Sequence, residues 1–186
     1  MTKLHCAKAH SASAGRKCVR EAREQLLVLT TGGTIDKQYF DALDEFQIKD
    51  TIISRLLAAA RVRLPFVIEE LMRKDSLELS ESDRAEIARC ARETDARRIV
   101  ITHGTDTMTR TAEALAGISG KTIVLTGALS PARFVESDAA FNLGMAFAVA
   151  QTAAPGVYIT MNGTVFDALA VRKDRQLGAF VPKTAN

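Results

Sequence analysis

Five short segments rich in apolar residues constrain the fold of this 186-residue chain more than any other feature. They read LLVLT, PFVIEEL, RIVIT, TIVLT and GVYITM, at residues 26–30, 65–71, 98–102, 122–126 and 156–161. Most of them place apolar residues at consecutive rather than alternate positions, which is typical of strands buried on both faces. Strands of that kind form parallel sheets with helices packed on each side.

Helical patterns separate these segments. The first predicted helix covers residues 51–60, with Asp50 as its N-cap. Its predicted inward face is Ile52, Ile53, Leu56, Leu57 and Ala60. The remaining helices are predicted from Ser80 or Ser82 to Thr94 with Ile87, Cys90 and Ala91 inward, over 111–117 and from Ser137 to about Gln151. The alternation predicts an α/β fold, a doubly wound, mostly parallel sheet in a three-layer α/β/α sandwich.

The residues that follow the predicted strands indicate where a ligand would bind, because such sheets bind ligands at the carboxyl ends of their strands. These segments read TGGT, MRKDS, HGTDT, GALSP and NGT, at residues 31–34, 72–76, 103–107, 127–131 and 162–164. Hydroxyl groups and carboxylates therefore collect at one edge of the predicted sheet.

A phosphate-binding loop is one interpretation of the paired glycines at 32 and 33, and the spacing excludes it. A dinucleotide fold needs a third glycine in the pattern G-x-G-x-x-G, which is absent here. A P-loop needs a lysine and a hydroxyl directly after its glycines, and Asp36 would repel a phosphate.

A hydroxyl nucleophile is the second interpretation of this turn. A threonine hydroxyl attacks a carbonyl only when a base takes its proton, and that base must lie within hydrogen-bond reach. The acidic and hydroxyl groups that follow the third strand can form a relay to a lysine, provided that the amine is neutral.

The segments TGGTI and HGTDTM, followed by GAL-P and MN-TV, give the chain a specific resemblance. It resembles the amino-terminal catalytic domain of the bacterial L-asparaginase and glutaminase-asparaginase family, from Leu26 to about Lys173. TGGT alone is a weak signal, whereas TGGT and HGTDT in this order, each after an apolar strand, are a strong one. The resemblance implies an amidohydrolase that forms an acyl-enzyme on a threonine.

The resemblance also implies roles for individual residues. Thr34 is the primary nucleophile, Thr105 is the second catalytic threonine and Lys173 is its relay lysine. Asp106 binds the substrate ammonium and Ser76 the substrate α-carboxylate. The implied reaction is two-step acyl transfer, in which L-asparagine loses ammonia and water then releases L-aspartate.

Two features depart from the family pattern. The family tyrosine usually lies farther from the nucleophile on a flexible lid, whereas Tyr39 is five residues after Thr34. We assign Tyr39 to the catalytic set as the hydroxyl activator. Family members also carry a second domain, so this chain resembles a short, single-domain form. We therefore expect a more open pocket, weak use of L-glutamine and a homo-oligomer.

Two other functions remain open from the sequence. One is an amidotransferase subunit that acts on misacylated tRNA, since one such subunit resembles asparaginases. The other is a catalytically silent binding module of the same fold. Retention of all four of Thr34, Thr105, Asp106 and Lys173 favours catalysis over the silent module.

The charge distribution and the cysteine content limit which partners, cofactors and cellular compartment are expected. Residues 1–25 carry a net charge of +4, so the total of +3 leaves −1 for the remainder. We interpret residues 1–25 as a flexible basic leader, 26–186 as the catalytic domain, and expect no nucleic-acid partner. No apolar run approaches the roughly 20 residues of a membrane span. The three cysteines include no CxxC pair, so we expect no metal, no other cofactor, and a reducing cytoplasm.

Three residues near the motifs have a structural interpretation. We interpret His103 as a hydrogen-bonding residue of the framework and not as a base. Asp36 and Asp138 are expected to cap helices or stabilise turns.

Overall fold

The computed structural model describes residues 25–40, 45–48 and 51–183, with the backbone alone at 39–40 and 45–48. The described helices are α1 (Ile53–Ala59), α2 (Glu81–Glu93), α3 (Met108–Leu115) and α4 (Ala139–Thr152). The longer strands are β1 (Leu26–Gly32), β4 (Phe66–Lys74), β5 (Arg98–Thr102), β6 (Thr122–Thr126) and β7 (Gly156–Met161). The shorter strands are β2 (Lys37–Phe40), β3 (Glu45–Ile48), β8 (Thr164–Asp167), β9 (Val171–Asp174) and β10 (Ala179–Pro182).

Six strands form the main sheet in the order β4-β1-β5-β6-β7-β8. The first five are parallel, and β8 is an antiparallel edge strand paired with β7. The connection from β1 leads to β4 on one side and the connection from β5 leads to β6 on the other, so the direction of the connections reverses between the adjacent strands β1 and β5. Such a reversal opens a crevice at the carboxyl ends of the strands.

Helices cover both faces of the sheet, which confirms the predicted doubly wound architecture. One core joins the sheet to α2 and α3, through residues such as Ile87 and Leu115. The other core joins it to α1 and α4, through residues such as Ile53 and Leu143. Consecutive strand residues alternate between the two cores, with Leu29 in the first and Val28 in the second. The strands are therefore apolar at consecutive positions because both of their faces are buried.

The connection from β6 to β7 has the opposite hand to the other three crossovers. The chain moves in one direction along the sheet from β5 to β6 and from β6 to β7. However, α3 covers the first face on the first step and α4 covers the second face on the next. The α1 and α2 crossovers share the hand of the α3 crossover. Since nearly all such crossovers are right-handed, the α4 crossover is the exception.

The structure differs from the sequence predictions in several local details. The region after β7, where no strand was predicted, contains β8, β9 and β10, and a β2–β3 hairpin, also not predicted, follows β1. Helix α3 begins at Met108 rather than at residue 111, and Met108 is fully buried in the first core. Ala60 is exposed and Cys90 only half-buried, although both were expected to face inward. Asp50 lies outside the described residues, and its prediction as the N-cap was wrong, because α1 begins at Ile53 with Ile52 as its N-cap.

None of the helices in the described part of the chain is long and apolar enough to cross a membrane.

Candidate active site

Two glycines bring the end of β1 into backbone contact with its neighbouring strands. Gly32 and Gly33 have φ angles of +95° and +84°, which residues other than glycine rarely adopt. A Cβ atom on Gly32 would lie 2.8 Å from the Lys74 backbone, and one on Gly33 would lie 2.5 Å from the Gly104 nitrogen. The turn after β1 therefore lies directly against the turns after β4 and β5.

Gly104 makes the third close contact of this group. A Cβ atom on Gly104 would lie 2.6 Å from both Cβ and Oγ of Ser76. Gly33 precedes Thr34, and Gly104 precedes Thr105. The three close approaches therefore place the turns that carry Thr34, Ser76 and Thr105 side by side at the carboxyl edge of the sheet.

Thr34 begins a single 3₁₀ turn, Thr34–Asp36, and is partly exposed. The Asp36 backbone N–H donates to the Gly33 carbonyl at 3.1 Å, and the Gly33 N–H donates to the Lys74 carbonyl at 3.0 Å. Backbone hydrogen bonds thus hold the turn against β4 while the Thr34 side chain remains accessible.

Lys173 joins Thr105 and Asp106 in a hydrogen-bonded cluster. Its Nζ lies 2.6 Å from Thr105 Oγ1 and 3.0 Å from Asp106 Oδ1, across 68 and 67 residues of sequence. Thr105 is buried, and the Lys173 side chain is mostly buried, at 16% exposure. Arg175 approaches the same Asp106 oxygen at 3.8 Å from the exposed side. A hydroxyl, an amine and a carboxylate therefore share one edge of the site.

Ser76 is buried, and its Oγ has no hydrogen-bond partner among the described residues. Its carbonyl accepts a hydrogen bond from Thr107 Oγ1 at 2.6 Å. The preceding residue, Asp75, caps the short turn by accepting from the Leu77 N–H at 3.1 Å. A buried hydroxyl without a partner is costly, so Ser76 Oγ is a candidate for contact with a polar ligand.

His103 is fully buried beneath this edge and is part of the framework, as expected. Its Nδ1 lies 2.7 Å from the Gly104 carbonyl, so Nδ1–H donates. Nε2 lies 2.8 Å from Thr111 Oγ1 and accepts from that hydroxyl. Burial lowers the pKa of His103 to about 4, and the Gly104 hydrogen bond only partly opposes this. His103 is neutral at pH 7 and fixes the Gly104 peptide.

The two aspartates expected to stabilise turns do so. Asp36 is buried and accepts from the Ile52 N–H at 2.9 Å, so that it holds the start of α1. Burial raises the Asp36 pKa. Asp138 accepts from the backbone of Leu129 and Ser130 and stabilises the turn after β6.

Two predictions fall outside what the structure describes. Tyr39 lies on β2, opposite Phe46 in the hairpin, and only its backbone is described. Its catalytic role stays a prediction. The cysteines at 6 and 18 and the histidines near them lie in the segment before residue 25. No group of three metal-binding side chains occurs among residues that the structure describes.

One pair at the site was not predicted from the sequence, the ion pair between Lys37 and Asp75 at 2.7 Å. Lys37 is three residues after Thr34, and Asp75 immediately precedes Ser76. Proximity to both motifs was the available signal, but pairing depends on β4 lying beside β1, which the strand pattern alone does not specify.

The fold and this cluster define a doubly wound α/β protein with a threonine–lysine–aspartate site at the carboxyl edge of its sheet. The family described as "Asparaginase, N-terminal" matches residues 25–181, and the chain belongs to that family.

Two curated relatives show the range of names within this similarity. The chain is 32% identical to an L-asparaginase of Thermococcus kodakarensis, over 83% of this chain and 49% of the relative. It is 33% identical to a glutamyl-tRNA(Gln) amidotransferase subunit of Methanococcus vannielii, over 78% of this chain and 36% of the relative. The chain thus spans about half of the first relative and about a third of the second.

A solved structure agrees with the fold. L-asparaginase I of Vibrio cholerae matches with a TM-score of 0.75 and 27% identity, over 89% of this chain and 53% of that one. The α/β architecture is therefore that of a crystallographically known asparaginase.

Proposed function

We propose that this chain is an amidohydrolase that releases ammonia from L-asparagine through an acyl-enzyme on Thr34. The observation that carries the proposal is the Lys173–Thr105–Asp106 cluster beside the turn that presents Thr34. Membership of the asparaginase family supports an amide substrate. The T. kodakarensis relative, which is named an L-asparaginase, supports asparagine as that amide.

The first step is attack on the side-chain amide. Thr34 Oγ1 loses its proton as it bonds to the amide carbon, and the C–N bond breaks with protonation of the leaving nitrogen to ammonia. Backbone N–H groups at the strand ends stabilise the developing oxyanion. The second step hydrolyses the threonine ester by attack of water, which releases L-aspartate and restores the Thr34 hydroxyl.

The Lys173–Thr105 pair moves the proton in both steps. In the resting cluster the amine donates to Thr105 Oγ1, whereas a relay requires a neutral amine that accepts the hydroxyl proton.

The substrate backbone would be held by two groups. Asp106 is one-third exposed and carries the charge that an α-ammonium needs. The buried Ser76 Oγ would donate to the α-carboxylate, which would supply the partner that it lacks among the described residues. The assignment of Tyr39 as an activator completes the proposed set.

A second candidate function is an ammonia-supplying amidotransferase subunit. The specific observation in its favour is the 33% identity to the M. vannielii relative, which is named as such a subunit. A subunit of this kind would use the same Thr34 chemistry but pass its ammonia to a partner protein. The two candidates differ in whether the isolated chain turns over free asparagine.

The test is ammonia release from L-asparagine and L-glutamine by wild type, Thr34→Ala and Thr152→Ala. Thr152 lies exposed at the end of α4 and is a matched control for loss of a threonine hydroxyl. We expect Thr34→Ala to lower kcat by ~10³-fold or more, as removal of a nucleophile does. Thr152→Ala should retain wild-type turnover.

Two results would contradict the proposal. Unchanged turnover in Thr34→Ala would remove the nucleophile assignment. If wild type turned over neither L-asparagine nor L-glutamine, the result would favour the amidotransferase subunit or the silent binding module.

A further inference from the structure

An ion pair connects the two turns on which the proposed nucleophile and the proposed substrate-binding serine lie. Lys37 is the first residue of β2 and leaves the Thr34–Asp36 turn. Its Nζ lies 2.7 Å from Asp75 Oδ2, and both side chains are 28% exposed. Asp75 is bonded directly to Ser76. The ion pair therefore links the turn that carries Thr34 to the turn that carries Ser76.

Asp75 is held rigidly as the acceptor of this pair. Its Oδ1 accepts from the Leu77 N–H at 3.1 Å, and its own N–H donates to Glu78 at 3.4 Å, forming a capping box. Burial raises the pKa of Asp75, but hydrogen bonds from Lys37 and the Leu77 N–H outweigh it and hold the pKa below its usual range. The carboxylate is thus charged and fixed in orientation.

The preceding residue anchors the same strand end on its other side. Lys74 Nζ bonds both carboxylate oxygens of Asp83 on α2, at 2.8 and 2.9 Å. The end of β4 is therefore tied to α2 through Lys74 and to β2 through Asp75. Of these two side-chain interactions, only that of Asp75 leads to the turn that carries Thr34, which the Lys74 backbone also contacts through its carbonyl.

Two side-chain interactions hold the C-terminal end of the turn that carries Thr34. Asp36 holds the Ile52 N–H at the start of α1, and Lys37 holds Asp75. The turn itself has no side-chain cap. The Asp36 tie fixes the turn relative to a helix, whereas the Lys37 tie fixes it relative to Ser76.

We propose that Lys37 and Asp75 are positioning residues that set the separation between Thr34 and Ser76 for the amide reaction. This inference rests on the proposed function. A bound substrate whose carboxylate is on Ser76 must present its side-chain amide to Thr34, so the separation of the two turns selects the reactive geometry. Errors of about 1 Å in such geometry cost up to ~10²-fold in rate.

The pair acts through geometry and not through overall stability. Both side chains keep contact with solvent, and ion pairs in contact with solvent contribute at most a small part of the free energy of unfolding. Loss of the pair should therefore lower kcat/KM without a matching fall in Tm. This separation of the two effects is what distinguishes positioning from a merely structural role.

The experiment is a double-mutant cycle on ammonia release, with wild type, Lys37→Met, Asp75→Asn and the double variant. Asn at 75 can still accept from the Leu77 N–H, so that the cap is retained while the charge is lost. We expect each single variant to lower kcat/KM by ~10-fold and the double variant by no more than either single. Lys37→Arg, which keeps the charge, should retain most of the activity.

Lys74→Met is the matched control. It removes the neighbouring ion pair with Asp83, which ties β4 to α2 and not to the Thr34 turn. We expect it to leave kcat/KM within about 2-fold of wild type, as for substitutions outside the reacting geometry. Tm is measured for every variant alongside the kinetics.

Four results would overturn the inference. They are additive losses in the double variant, an equal loss in Lys74→Met, a loss that follows Tm, and a lower KM in Asp75→Asn. The last would show that Lys37, once released, binds the substrate directly. Failure of the proposed function is seen separately, as a wild type no more active than Thr34→Ala, and it would overturn this inference as well.

Discussion

At the scale of single residues, position 33 is restricted to glycine by two independent constraints. Its φ of +84° lies in the left-handed region, and its α-carbon faces the Gly104 backbone with no room for a methyl group. Gly120 has a similar φ of +71° but open space around it. A comparison of substitutions at the two positions therefore distinguishes the cost of the positive φ from the cost of the steric clash.

Replacement of Gly33 by alanine should destabilise the protein more than replacement of Gly120. We expect Gly120→Ala to cost about 1 kcal/mol from the unfavourable φ. Gly33→Ala should cost about 2–4 kcal/mol, because the contact with Gly104 adds an overpacking penalty. Urea unfolding of both variants measures the difference. Equal costs would show that the close approach to Gly104 does not restrict the turn.

At the scale of elements, the sequence predicted the buried strands well and the exposed ones poorly. β5 and β6 were predicted at their observed bounds, because strands buried on both faces carry apolar residues at consecutive central positions. β8, with mostly exposed residues, leaves no such pattern. β9 is less exposed, but three of its four residues are charged, so Lys173 was found through the family resemblance and not through its strand. The hairpin before α1 was missed altogether.

The N-terminus of α2 is a point where the sequence left a choice that the structure settles. Ser80 and Ser82 were both candidate caps, and Ser80 is the N-cap, with a capping box to Asp83. We expect Ser80→Ala to lower the free energy of unfolding by about 1 kcal/mol. Ser82→Ala should change it by no more than about 0.5 kcal/mol. Thermal unfolding of the two variants distinguishes them, and a larger effect at Ser82 would contradict the assignment.

At the scale of the whole molecule, the candidate site is a product of strand order. The motifs after β1, β4 and β5 meet because β1 lies between the other two strands, as the order β4-β1-β5 shows. The sequence predicted a common edge but not which strands are adjacent. For that reason it predicted Thr34, Ser76 and Thr105 as a group and missed the contact between Lys37 and Asp75.

The free energy of unfolding should depend on pH in part because His103 binds protons differently in the folded and unfolded states. Its pKa is about 4 in the fold and about 6.5 in the unfolded chain. Between these values the unfolded chain binds more protons, so the contribution of His103 to stability rises with pH up to about 6.5 and is lost as pH falls towards 4. The slope approaches about 1.4 kcal/mol per pH unit within this window.

Asp36 acts in the opposite sense, which determines how the measurement must be designed. Its pKa is raised by burial, so its contribution to stability falls as pH rises through the acid range. The free energy of unfolding should therefore be compared between wild type and His103→Gln from pH 4 to 7. The Asp36 contribution is common to both proteins and cancels in the difference. We expect the difference to grow with pH up to about 6.5 and then to level off. Parallel curves would show that the buried imidazole does not couple folding to protonation.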